Sequence, residues 1–134
     1  MKIAILNSIL FLGCTCAYGQ NLIGYSNAEI RKFMMENRKE MNYDKVRNSL
    51  FSYLKYSDNT DSQTILFFLN ADSVCSSMRV ICNTGMKAEK IKELDAEYKK
   101  LSDDRWIDSH AGKNYLINFK DEAWSCTITY EPEK

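Results

Sequence analysis

The sequence predicts an α+β domain: an antiparallel sheet carrying two helices on one face, in the order α-β-β-β-α-β-β-β. Three observations carry that expectation. A capping box opens a helix-spaced apolar stripe near the N-terminus. A second such stripe begins near residue 90. The other apolar residues fall in six short runs separated by polar turns. Connections that short favour antiparallel hairpins.

Ser26-Asn27-Ala28-Glu29 fits the capping box: the Ser26 side chain accepts from the Glu29 amide, and the Glu29 carboxylate reaches back to the Ser26 amide. Tyr25 and Ile30 occupy the flanking staple positions. Ile30, Phe33, Met34 and Met41 extend the stripe, so the spacing predicts a helix from Asn27 that fades near Asn42. Met35 sits at its rim. Arg31, Lys32, Arg38 and Lys39 alternate with Glu36 and Glu40 as a solvated face.

Residues 48–56 (NSLFSYLKY) read as a strand and 57–63 as a polar turn. In 64–69, Ile65, Phe67 and Leu69 point one way and Leu66 and Phe68 the other, which predicts a central strand. Asn70-Ala71-Asp72-Ser73 turns the chain. In 74–82, strict alternation puts Val74, Met78, Val80 and Cys82 on the core face and Cys75, Ser77 and Arg79 on a more polar one. Asn83-Thr84-Gly85 breaks that strand. Ile91, Leu94, Tyr98 and Leu101 then predict a second helix, stopped by Ser102-Asp103-Asp104. Strands follow at 105–108 with Trp106, at 115–119, and at 123–130, where Trp124, Cys126, Ile128 and Tyr130 share a face. His110 lies in the turn at 109–114. Two successive α-β-β-β units suggest a duplicated half, for which Ala28-Glu29-Ile30 and Ala88-Glu89-Lys90-Ile91 are thin sequence support.

The first nineteen residues read as a removable leader rather than part of the core. Lys2 precedes the apolar run at 3–12, which is too short to span a bilayer as a helix. Ala17-Tyr18-Gly19 offers small residues at −3 and −1 of a signal-peptidase site, leaving 20–134 as a single domain that begins with Gln20. The rival reading is a lipobox at Phe11-Leu12-Gly13-Cys14, with Cys14 lipidated. Eighteen basic against eighteen acidic residues give no net charge. That argues against a dedicated nucleic-acid binder. With 45% hydrophobic residues the chain has ample material for a core.

No motif commits to a chemistry, so the sequence assigns no catalytic, cofactor or metal residue. His110 is the only histidine, and no Cys-x-x-Cys occurs. Asp58, Asp61, Asp103, Asp104 and Asp108 do not match the spacing of a calcium loop. Asp108-Ser109-His110 has the residue types of a hydrolase triad, but sequence neighbours on a turn do not adopt its geometry. Pairing Cys75 with His110 as an activated thiol rests on residue types alone. Removing the leader leaves Cys75, Cys82 and Cys126. Cys82 and Cys126 both fall on core-directed faces, which makes them the disulfide candidate and leaves Cys75 as a free thiol. Such a bridge closes a loop of several dozen residues, for which chain entropy gives about 3–4 kcal/mol. Tyr53, Trp106, Tyr115 and Trp124 are the candidates for an aromatic binding surface on the sheet.

Ala17-Tyr18-Gly19-Gln20, Ile23-Gly24-Tyr25-Ser26 with Glu29-Ile30, Phe67-Phe68-Leu69 and Val74-Cys75 together resemble, in layout and local strings, small exported proteins of Bacteroidota-type bacteria. The resemblance implies an envelope location and carries over no catalytic residue. The resulting expectation is a periplasmic or secreted domain without a cofactor. It would contact an envelope protein or peptide, through the open sheet face or a strand edge, with no nucleic acid and no transmembrane span in the mature chain. The alternatives are a small hydrolase-type enzyme assembled from scattered Asp, His and Cys, and a structural outer-membrane lipoprotein.

Overall fold

A helix followed by a four-strand meander occurs twice in this chain. The computed structural model describes residues 21–45, 52–110 and 112–134. The first half holds α1 (Asn27–Asn37), β1 (Met41–Asp44), β2 (Tyr53–Asp58), β3 (Gln63–Leu69) and β4 (Cys75–Asn83). After a 3-10 turn (Thr84–Met86) come α2 (Lys87–Glu97), β5 (Lys99–Ser102), β6 (Arg105–His110), β7 (Lys113–Asp121) and β8 (Ser125–Pro132). All eight strands form one sheet in the order β1-β2-β3-β4-β8-β7-β6-β5. Every neighbouring pair is antiparallel. The last strands of the two halves, β4 and β8, meet at the centre, and the first strands form the two edges.

The expected order thus gains one strand in each half, and both lie where a helical stripe was followed too far. Met41 continues the α1 stripe by spacing, but the helix stops at Arg38, which caps it with φ −130°. Met41–Asp44 then runs back along β2. Tyr98 and Leu101 continue the α2 stripe in the same way, yet Tyr98 is already extended at φ −127° and ψ 161°. Lys99–Ser102 pairs with β6. Two apolar residues three or four positions apart fit the helical period without requiring the residues between them to be helical. Part of the strand expected at 48–56 lies outside the described residues, as does the whole leader, Cys14 included.

Alternation along the strands collects the core on one face. One rung crosses the sheet through Tyr56, Ile65, Val80, Ile128 and Phe119; the next runs through Leu54, Phe67, Met78, Tyr130, Ile117 and Trp106. All of these are buried. Burying each such side chain is worth about 1.5–3 kcal/mol. Ile30 and Met34 of α1 and Leu94 of α2 are buried too. Residues of both helices line one groove with Ile65, Val80 and Ile128, so both helices lie over this face. The Trp106 indole Nε1 donates to Asp95 of α2 at 2.9 Å. At the start of α1 the capping box forms, with Glu29 N to Ser26 Oγ at 3.2 Å and Ser26 N to Glu29 Oε1 at 2.9 Å.

The segment before α1 is part of the core. Leu22 and Ile23 are buried. The Gly24 amide donates to the Cys75 carbonyl, and the Cys75 amide donates back to Tyr25. Gly24 holds φ +97°, which a side chain would resist.

This core predicts a sharp contrast. Ile117→Ala, at a fully buried position, should cost about 2–5 kcal/mol in urea unfolding. Met35→Ala, at a position 71% exposed, should stay within about 0.5 kcal/mol. Similar losses for both would mean the two rungs are not what hold the sheet.

Candidate functional site

The second face of the sheet is built by the residues that alternate with the core. Its central rung runs Lys55, Leu66, Arg79, Thr129, Asn118 and Arg105. The next carries Ser57, Thr64, Ile81, Thr127 and Lys120. Tyr53, Phe68 and Ser77 form a third toward the other end of the strands. Tyr53, Leu66, Phe68 and Ile81 are half-buried, whereas Arg79 and Lys120 are exposed. The Arg79 guanidinium lies 5.6 Å from the centroid of the Phe68 ring, and Phe68 meets Tyr53 at 6.0 Å between centroids. Arg79, Ile81, Lys120, Glu122, Ser125, Thr127 and Thr129 line a shallow groove of about 400 Å³ on this face. Trp124, 89% exposed, lies in the turn between Glu122 and Ser125, two of the residues that line this groove.

The four aromatic candidates therefore separate. Tyr53 lies on the open face. Trp124 is exposed, but in the turn rather than on the core face of a strand, because the Glu122 amide donates to the Ser125 carbonyl and β8 begins only there. Trp106 and Tyr115 are buried on the helix side and do not belong to an exposed surface. Their register decides this: Trp106 pairs with Ile117, and Tyr115 pairs with Asp108.

A polar pocket of about 390 Å³ lies on the helix side, lined by Asn21, Tyr25, Glu97, Tyr98, Asp108 and His110. His110 belongs to β6 rather than to a turn, so it shares a face with Asp108. Its Nδ1 is 3.1 Å from Asp108 Oδ2, which also accepts from Asn21 Nδ2 at 3.1 Å. His110 stacks on Tyr115 at 5.0 Å. Ser109 points to the opposite face, where its hydroxyl donates to Asn114. Asp108 and His110 thus meet without the serine between them. Glu97 is exposed as a residue, but partial desolvation, then repulsion from Glu93 and Asp108, raises its carboxyl above the usual range.

The groove between the helices holds charge, including Arg38, which helical spacing placed on a solvated face. Arg38 and Lys90 are each only 8% exposed. Arg38 Nε donates to Glu40 at 2.8 Å, and Lys90 Nζ lies 3.6 Å from Glu93. Burial, then the carboxylates of Glu97 and Glu93, keeps the Tyr130 hydroxyl protonated well above its ordinary range. The groove itself has room for about one water, near 20 Å³.

Cys75 does not lie on the polar face. Phe68 pairs with Ser77 and Leu69 with Cys75, so Ser76 is an extra residue, a β-bulge that reverses the alternation and turns Cys75 inward. It is 2% exposed. Its thiol donates to the Ser77 carbonyl at 3.3 Å, and Cys75 is not among the residues lining the Asp108–His110 pocket. Cys82 and Cys126 face each other across β4 and β8 with their sulfurs 2.6 Å apart. All three are free thiols here. Burial first, then the Cys126 thiol, pushes Cys82 up to about 12. Among the described residues no three His, Cys, Asp or Glu side chains converge as metal ligands. No helix among them is long and apolar enough to cross a membrane.

Burial raises the Cys75 thiol from 9.0 to about 11. Folding therefore disfavours its thiolate, and stability should fall as pH rises from about 9 to about 11. At pH 8 the folded protein should leave Cys75 unlabelled by an aromatic disulfide reagent, and urea should release it. Immediate stoichiometric labelling of the folded chain, mapped to Cys75, would overturn this.

No family model matches the chain, and no curated protein and no solved structure matches it.

Proposed function

We propose that this chain is an exported binding domain of the bacterial envelope that takes a protein or peptide partner on its open sheet face. The observation that carries the reading is the face itself. Half-buried Tyr53, Leu66, Phe68 and Ile81 share it with Arg79, and exposed Trp124 lies in the turn between the groove residues Glu122 and Ser125. Tryptophan, tyrosine and arginine are the side chains that most often anchor protein contacts. Export rests on the apolar leader and its Ala17-Tyr18-Gly19 site. A hydrolase-type reading rests on the Asp108–His110 pair; among the described residues no Ser or Cys lines that pocket.

The test compares three forms immobilised against detergent-solubilised envelope extract: the wild type, Arg79→Glu with Trp124→Ala, and Met35→Ala on the helix side. The wild type and Met35→Ala should retain the same partner, and the double variant should lose it. Equal retention by all three would remove the open face from the reading. Mass spectrometry of the exported protein should find Gln20 at the N-terminus; an acylated Cys14 would replace soluble export with the lipoprotein.

A further inference from the structure

We infer that Cys82 and Cys126 form a disulfide that ties the two halves of the sheet together at their central junction, with Cys75 left as the unpaired thiol. The register selects this pairing. Cys82 and Cys126 are direct partners in the β4–β8 ladder. Opposed residues of antiparallel strands have Cα atoms about 4.5–5.5 Å apart, inside the range of about 4.4–6.8 Å that a disulfide requires. Their side chains share the buried face, with Cys82 2% and Cys126 0% exposed.

Cys75 stands at the other end of β4 from Cys82, roughly 20 Å away at about 3.3 Å per residue. Cys126 lies opposite Cys82, so it is equally out of reach. The bulge at Ser76 turns Cys75 onto the core face and takes up at most about 3.3 Å of strand length, which leaves Cys75 far outside disulfide range. The three mature cysteines therefore allow one intramolecular bridge, and it joins strands that belong to different halves.

The oxidant is an external disulfide, such as an exchange partner in the exported compartment or glutathione disulfide in vitro. One cysteine thiolate attacks it, forming a mixed disulfide and releasing the first external thiol. The second cysteine thiolate attacks the mixed disulfide, forming the Cys82–Cys126 bond and releasing the second. Two protein S–H bonds are lost, one S–S bond forms, and the external disulfide is reduced to two thiols that take up the two protons. Both sulfurs are buried once β4 and β8 have paired, so the exchange belongs to folding or to transient opening of that ladder. Once formed, the bridge is shielded from small reductants by the same burial.

The full chain, folded with glutathione disulfide and no reductant, is unfolded in urea with iodoacetamide and digested with trypsin. Cleavage after Arg79, Lys87 and Lys120 places Cys75, Cys82 and Cys126 in separate peptides. The expected result is a linked peptide pair carrying Cys82 and Cys126, which separates on reduction, and an alkylated Cys75 peptide. Alkylation of all three cysteines, or any bridge through Cys75, overturns the inference. As a second readout, reductant present throughout folding should lower the thermal midpoint of the wild type by several degrees. It should leave Cys82→Ser with Cys126→Ser unmoved. An equal shift in both proteins would also overturn it, and the peptide map decides alone where that variant does not fold.

Discussion

The β4–β8 ladder is the constraint on which the rest of this structure depends. Six consecutive register pairs, from Met78–Tyr130 to Asn83–Ser125, are what make two four-strand meanders into one sheet. Both core rungs pass through it, at Val80–Ile128 and Met78–Tyr130. Without that pairing each half would be one helix on four strands, with a strand that carries buried core residues, β4 or β8, exposed as an edge. A unit of some fifty residues buries too small a fraction of its surface to be robust alone. The groove between the helices, the Cys82–Cys126 pair and the open-face groove all straddle this line, so each exists only when the halves are joined.

The centre of the sheet also sets the electrostatics. Arg38 comes from the end of α1 and Lys90 from the start of α2, and both line the groove above Val80, Ile128 and Tyr130. A buried cation is tolerable only with an anion close by. Glu40 and Glu93 supply those anions from the cations' own neighbourhoods in the chain. The negative potential left over from Glu93 and Glu97 falls on the Tyr130 hydroxyl, which stays neutral and takes the place of an apolar core group. Polar side chains at this seam therefore take part in the packing.

What could be read from the sequence was whatever repeats locally. The capping box at Ser26–Glu29, the alternation in 64–69 and the stripe through Ile91 and Leu94 each need only a few neighbours to recognise, and each has its counterpart in the structure. What escaped depends on partners distant in the chain. Ser76 bulges because β3 and the 22–25 segment grip either side of Cys75, and no local pattern around Val74–Cys82 reveals that. Arg38 looked solvated because helical spacing gives a helix face but not how deeply a second helix encloses it. Trp106 and Tyr115 were indistinguishable from Tyr53 until register assigned them opposite faces. Trp124 kept the parity of Cys126 and Ile128, and only the 122–124 turn removed it from the strand.

The two edges bear on which surface is available to a partner. An edge strand presents unpaired amides and carbonyls, and proteins blunt it with charge and brevity. β5 is four residues long, begins Lys99-Lys100, and is exposed at every position. β1 is equally short, and Asp44 is tied across to Lys55 of β2 at 3.3 Å. Both edges thus carry the features that discourage an added strand. The open face carries no such guard. Its charged residues are spaced among half-buried aromatic and aliphatic side chains, and Arg79 lies against the Phe68 ring. A partner that adds a strand would meet charge at both margins. A partner that lies across the face would meet Tyr53, Phe68 and Ile81, with backbone groups already satisfied by the ladders beneath. On the proposed reading, side chains of the open face, rather than the backbone of an edge strand, would carry the recognition.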